Sequence, residues 1–142
     1  MQKEVKQTWH FNHSPQKVWE YLTKPELIEQ WLMTTNFQPI VGHKFSFSHS
    51  VKNKSDYEGT THCEVLEVNP FTRLSYTWNG TTLDGIRVFN SKVVWILIPK
   101  ENGTELQLQH TGFTLPDDVI AHGSGWNNCV NKLQEHINTN NK

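Results

Sequence analysis

The sequence predicts an α+β domain. One curved antiparallel sheet of six or seven strands wraps around a long C-terminal helix, and two short helices follow the first strand. Three observations carry this reading. Segments of period two recur between residues 44 and 110 and are joined by short turns, which describes a meander and not a series of βαβ units. One long stripe of helical period, Val119, Trp126, Val130, Leu133 and Ile137, closes the chain. Two helix starts, Ser14-Pro15 and Lys24-Pro25, break what would otherwise be one amphipathic run.

Each element follows from its local chemistry. Val5–Asn12 alternates, with Val5, Trp9 and Phe11 on one face and Lys6, Thr8 and His10 on the other, as a half-buried strand does. Ser14 suits an N-cap, and Pro15 fits the first helical position, where a missing N–H costs nothing. Val18, Trp19 and Leu22 give the first helix its apolar stripe, and Leu27, Ile28, Trp31 and Leu32 give the second its own. After Gly42 the period changes to two, with Phe45 and Phe47 facing one way. Val51–Gly59 is polar and reads as a turn. Thr60–Val68 and Arg73–Asn79 are strands, the latter with Leu74, Tyr76 and Trp78 on one face. Residues 80–89 read as a loop with a short strand. Ser91–Ile98 is rich in β-branched residues and should be a central strand. Glu101-Asn102-Gly103 makes a hairpin turn into Thr104–His110, whose Leu106 and Leu108 point inward. The last helix starts at Asp117, and its two acidic residues, Asp117 and Asp118, suit the positive end of the helix dipole.

With 142 residues the chain is expected to form a single domain over 1–142, its core spanning about 5–137. Only 35% of residues are hydrophobic, but seven Phe, six Trp and three Tyr make that core few in number and large in volume. A net charge of −1 argues against a nucleic-acid partner. No apolar run approaches the length of a membrane span. The N-terminus MQKEVKQTWH has no apolar stretch of the kind an export signal needs, so the expected location is cytoplasmic, with Cys63 and Cys129 as reduced thiols.

Three stretches resemble a known family in the right order. SPQKVWEYLTKPELIEQWL followed by FQPIVGHKFSF, then EGTTHCEVLEVNPFTRLSYTW, then GSGWNNCVNKLQEHI are similar to the opening, middle and closing helix of the activator-of-Hsp90-ATPase C-terminal-domain-like family. That family lies within the START-like helix-grip (SRPBCC) superfamily. The resemblance covers about residues 5–137. It implies a helix-grip fold in which the two short helices form a V across one end of the sheet, and the sheet and long helix enclose a cavity. It implies three roles: a non-enzymatic carrier of an apolar or aromatic small molecule, a partner of an Hsp90-type chaperone, or a cyclase-like enzyme. Fold alone does not choose among them.

The residues themselves favour the first. The candidate pocket residues are Trp9, Trp31, Phe45, Phe47, His49, Tyr76, Trp78, Arg87, Trp95, His110, His122 and Trp126. Large rings around an incompletely filled space suit a flat or apolar ligand. His49 and His110 share the parity of inward apolar positions, so either they orient a polar head group or they are hydrogen-bonded strand-end histidines. Either arginine would anchor an anion if it pointed inward; Arg73 follows a turn and should lie at the surface, and the pattern does not decide where Arg87 points. No acid–base constellation can be placed geometrically; His110, His49 and Asp84 are no more than candidates, so no catalytic residue is assigned. Gly123-Ser124-Gly125 is no nucleophile elbow, since no strand precedes it. Its glycines read as room beside the sheet, for packing or for a pocket. The eight histidines lack ligand spacing, so no metal and no other cofactor is expected. Exposed edge strands leave monomer and homodimer both open.

Overall fold

The computed structural model describes residues 4–48, 60–81, 88–113 and 116–140. Strand β1 (Val5–Phe11) leads into helices α1 (Pro15–Thr23) and α2 (Pro25–Trp31). Strands β2 (Thr34–Thr35), β3 (Lys44–Ser48), β4 (Thr60–Asn69), β5 (Arg73–Thr81), β6 (Val88–Lys100) and β7 (Gly103–Thr111) follow, and helix α3 (Pro116–Asn140) ends the fold. All seven strands form one antiparallel sheet in the order β1-β7-β6-β5-β4-β3-β2. The meander thus closes with the first strand laid against the last, Val5 opposite His110 and Phe11 opposite Thr104.

The break between the short helices has a visible cause and a visible use. Ser14 caps α1 by accepting from Lys17 N at 3.2 Å, and Pro15 stands at its first turn. Lys24 is extended, its N–H closing α1 onto Glu20 O, and Pro25 restarts the helix at once. The indole of Trp31 then donates to Tyr21 O at 2.8 Å, folding α2 back on α1. Both helices reach α3, and α1 also meets β6 and β7.

α3 lies across the sheet and buries Trp126, Val130, Leu133 and Ile137, with Val119 half-buried at its start. These meet Leu74, Trp95, Leu97, Leu106 and Leu108 of the inner face. Trp9 is packed only partly against this core. The outer face carries Arg73 at the surface, paired with Glu67 at 2.7 Å.

The boundaries differ from expectation in particular places. β1 ends at Phe11, one residue early, because the chain must turn toward Ser14. β2 has two residues, too few to show a period. The stretch 80–89, expected as a loop with a short strand, is strand at both its described ends, and β6 runs thirteen residues. The polar stretch Val51–Gly59 lies outside the described residues. Gly125 does not leave room beside the sheet: it faces solvent, with nothing within 4 Å of where a Cβ would stand. Gly123 does face the sheet, and its Cβ would meet Gln7 Nε2 at 3.4 Å. Gly103, at φ 146°, is required at the β6–β7 turn, since a Cβ there would overlap Phe11 O.

Candidate functional site

Strand parity builds the inner wall. β3 contributes Phe45 and Phe47, β5 contributes Tyr76 and Trp78, β6 contributes Ser91 and Trp95, and β7 contributes His110. Their rings form one connected surface. Phe45 meets Phe47 at 5.4 Å and Tyr76 at 5.3 Å between ring centres. Phe47 meets Trp78 at 5.4 Å. Trp126 of α3 seats against Trp78 at 4.9 Å and Trp95 at 5.3 Å, and Trp31 of α2 reaches Trp95 at 6.1 Å. Most of these contacts are edge-to-face, the arrangement that ring quadrupoles favour.

At one end the wall finishes in imidazoles. His110 lies 5.2 Å from His122 of α3 and 4.5 Å from Phe113, and Phe113 also meets His122 at 4.7 Å with its ring tilted. Both nitrogens of His110 are committed. The indole N–H of Trp126 can only donate, so His110 Nδ1, at 2.9 Å, is the acceptor and the ring proton sits on Nε2. That Nε2–H donates to Ser91 Oγ at 2.8 Å, and the Ser91 hydroxyl donates onward to Trp78 O at 2.6 Å. Burial, with the neighbouring His122 adding to it, holds the imidazole well below the usual histidine range and therefore neutral. The chain of bonds runs from α3 to the sheet and leaves His110 no capacity for a ligand head group.

The middle of the wall has a different polar group. Trp95 Nε1 donates to the Tyr76 hydroxyl at 2.9 Å. Burial pushes the Tyr76 phenol up, so it keeps its proton. Cys63, facing Phe45 across the β3–β4 ladder, is likewise buried and its thiol pushed up by burial. The middle of the inner face thus holds packed rings, one phenol and one thiol, all buried.

The structure brings together Trp31, Phe45, Phe47, Tyr76, Trp78, Trp95, His110, His122 and Trp126. Trp9 stands apart on edge strand β1, with no ring partner among the described residues. His49, Asp84 and Arg87 lie outside the described residues. Sequence reasoning missed Phe37, Ser91 and Phe113. Phe37 is buried against Phe45 at 4.9 Å and sits in a segment without period. Phe113 follows Gly112, whose φ of 105° turns the chain inward. Ser91 had a usable signal: it shares parity with Val93 and Trp95. Among the described residues, no group of three His, Cys, Asp or Glu side chains is placed to hold a metal.

The family described as activator of Hsp90 ATPase homolog 1-like protein matches residues 12–138. The chain belongs to that family. Among solved structures, this family domain is similar to protein MLL2253 from Mesorhizobium loti at 34% identity, with a TM-score of 0.88 over 96% of this chain and 98% of that one. It is similar in fold to DynU16, a protein in the dynemicin biosynthetic locus, at 20% identity and a TM-score of 0.83, over 99% of this chain and 49% of that one. It is also similar in fold to the Aha1 dimer from Colwellia psychrerythraea, at 17% identity and a TM-score of 0.77, over 96% of each chain. No curated protein matches. The helix-grip fold expected from the family resemblance is the fold observed.

Proposed function

We propose that the domain binds an apolar or aromatic small molecule between the inner face of the sheet and α3. One observation carries this reading. The wall from Phe45 to Trp126 is a continuous set of packed rings, and the polar groups within it are neutral: His110 by burial and the neighbouring His122, Tyr76 and Cys63 by burial. Such a surface rewards flat apolar ligands and penalises ions, which would be desolvated without a partner. The Tyr76 hydroxyl, which already accepts from Trp95, has its own proton to give a ligand carbonyl or hydroxyl. The place of DynU16 in a biosynthetic locus makes natural products a class to include in the screen.

The test is a thermal-shift screen with fatty acids, sterols, flavonoids and aromatic polyketides, joined to native mass spectrometry of the purified protein. A ligand at a hundred times its Kd stabilises by about 2.7 kcal/mol, or about 5–10 °C for a domain of this size. Added mass together with such a shift supports the reading. No added mass and no shift across the panel would make the wall an ordinary core.

A further inference from the structure

The polar groups of the ring wall are nearly all spent on one another. His110 has no nitrogen left, Ser91 accepts from it and donates to Trp78 O, and the indoles of Trp31, Trp95 and Trp126 each donate to a partner. Two donors on β5 are left over. The Tyr76 hydroxyl accepts from Trp95 Nε1, and its own proton meets no acceptor among the described residues. The Trp78 indole N–H has no partner among the described residues either, and it is not enclosed: the enclosed side-chain atoms that lack a partner are Gln7 Oε1 and Ser75 Oγ. Trp9 and Trp19 also keep unbonded indoles, but they stand on edge strand β1 and on α1.

Tyr76 and Trp78 are two residues apart, so strand parity puts both side chains on the inner face, about 6.8 Å apart along β5. Rings flank them: Phe45 lies 5.3 Å from Tyr76, and Phe47 5.4 Å from Trp78. A donor left unpaired in an interior costs stability, and native proteins keep few of them. The same wall has nothing to offer an ion, since among the described residues no buried side chain is a Lys, Arg, Asp or Glu. Nor has it a spare carbonyl for a ligand's own donors. Gln7 Oε1 lies on β1, with β7 and β6 between it and β5, and Ser75 points to the opposite face of the sheet.

Resting on the binding reading above, we infer that the ligand is an uncharged, flat aromatic ketone, its frame against Phe45, Phe47 and Trp126 and its carbonyl oxygen accepting from Tyr76 O–H and Trp78 N–H. A carbonyl oxygen has two lone pairs and can take both bonds. A hydrocarbon of the same shape leaves both donors unpaired, a carboxylate arrives without a cation, and a polyol brings donors that find no acceptor. Tyr76 and Trp78 then set specificity, and the rings supply affinity.

Three probes share one tricyclic frame and differ in head group: 9-fluorenone, fluorene and fluorene-9-carboxylate. Equilibrium dialysis against the full chain at neutral pH measures each Kd. Wild type is expected to bind fluorenone at least about tenfold more tightly than fluorene, which one or two neutral hydrogen bonds supply, and to bind the carboxylate more weakly than either. In Tyr76→Phe/Trp78→Phe the preference for fluorenone over fluorene should vanish. A merely structural role for the two residues would shift both affinities together and keep the preference. If circular dichroism shows the double variant unfolded, Trp78→Phe alone should cut the preference at least about threefold. Fluorene or the carboxylate bound by wild type as tightly as fluorenone overturns the inference and leaves the binding reading standing, and so does a preference that survives the substitutions. Binding of none of the three probes overturns both.

Discussion

Trp126 Nε1 donates to His110 Nδ1 at 2.9 Å and so fastens the middle of α3 to the last strand. The bond is buried, and the His110 ring spends its other nitrogen on Ser91. Removing one member leaves the other unsatisfied in a dry interior, which costs about 1–3 kcal/mol beyond the lost ring area. Trp126→Phe is therefore expected to destabilise the domain by about 2–4 kcal/mol in urea unfolding. His110→Leu should cost less in the Trp126→Phe background than in the wild type, because no orphaned acceptor then remains. A double-mutant cycle should return a coupling of about 1–2 kcal/mol, and strict additivity would mean that the bond contributes nothing.

The same imidazole sets a pH dependence. Its folded pKa is depressed by burial and by His122, whereas in the unfolded chain it titrates near about 6.5. The unfolded state thus takes up a proton that the folded state refuses. The stability from His110 is fully present above about pH 6.5 and is lost as pH falls, with a limiting slope of about 1.4 kcal/mol per pH unit. Glu67 and Glu105, held low mainly by their hydrogen bonds to Arg73 and Gln107, act only in the carboxylate range below this window. Unfolding curves at pH 7, 6 and 5 should show a steeper fall for wild type than for His110→Gln. Parallel curves would show that another group dominates.

Much of this architecture was legible because the patterns are long. Leu74, Tyr76 and Trp78 alternate over enough residues to fix a face, and the stripe of α3 spans five turns. The two proline restarts announce themselves by chemistry. What was not legible was short or aperiodic: two-residue β2, the turn at Gly112 that delivers Phe113, and Phe37 in an irregular segment. His110 was placed correctly on the inner face, but parity says nothing about partners, and Ser91 and Trp126 decide that it holds the fold together. Gly123 and Gly125 look alike in the sequence. Two helical steps rotate a side chain by about 200°, so they had to face opposite ways.

That opposition gives a test of the helix. Gly125 is solvent-facing and helical, with open space where a Cβ would go. Gly125→Ala should stabilise by about 0.5–1 kcal/mol, since glycine in a helix gives up more backbone entropy than alanine. Gly123→Ala should gain less, because its Cβ must fit against the Gln7 amide, which donates to Gly123 O at 2.9 Å. Paired thermal melts of the two variants measure the difference. A larger gain at Gly123 would mean that the helix presents its other face to β1.

The two thiols offer a probe of the interior. Both Cys63 and Cys129 are unpaired, and burial raises both, with Lys132 partly offsetting the shift at Cys129. The thiolate is the reactive species, so both should label slowly in the folded protein. Cys129 is only half-buried and should react first. Cys63 faces the ring wall beside Phe45, and a reagent reaches it only when that part of the domain opens. Its labelling is expected to run about a thousandfold or more below that of a small free thiol, and to rise steeply with urea. A ligand bound against the wall stabilises the closed state and must slow Cys63 further, by the factor its concentration sets. Cys129, at the flank of α3's stripe and packed only partly against the core, should change less. Equal protection of both thiols would report global stabilisation by a ligand bound elsewhere, and selective protection of Cys63 would locate it on the ring wall.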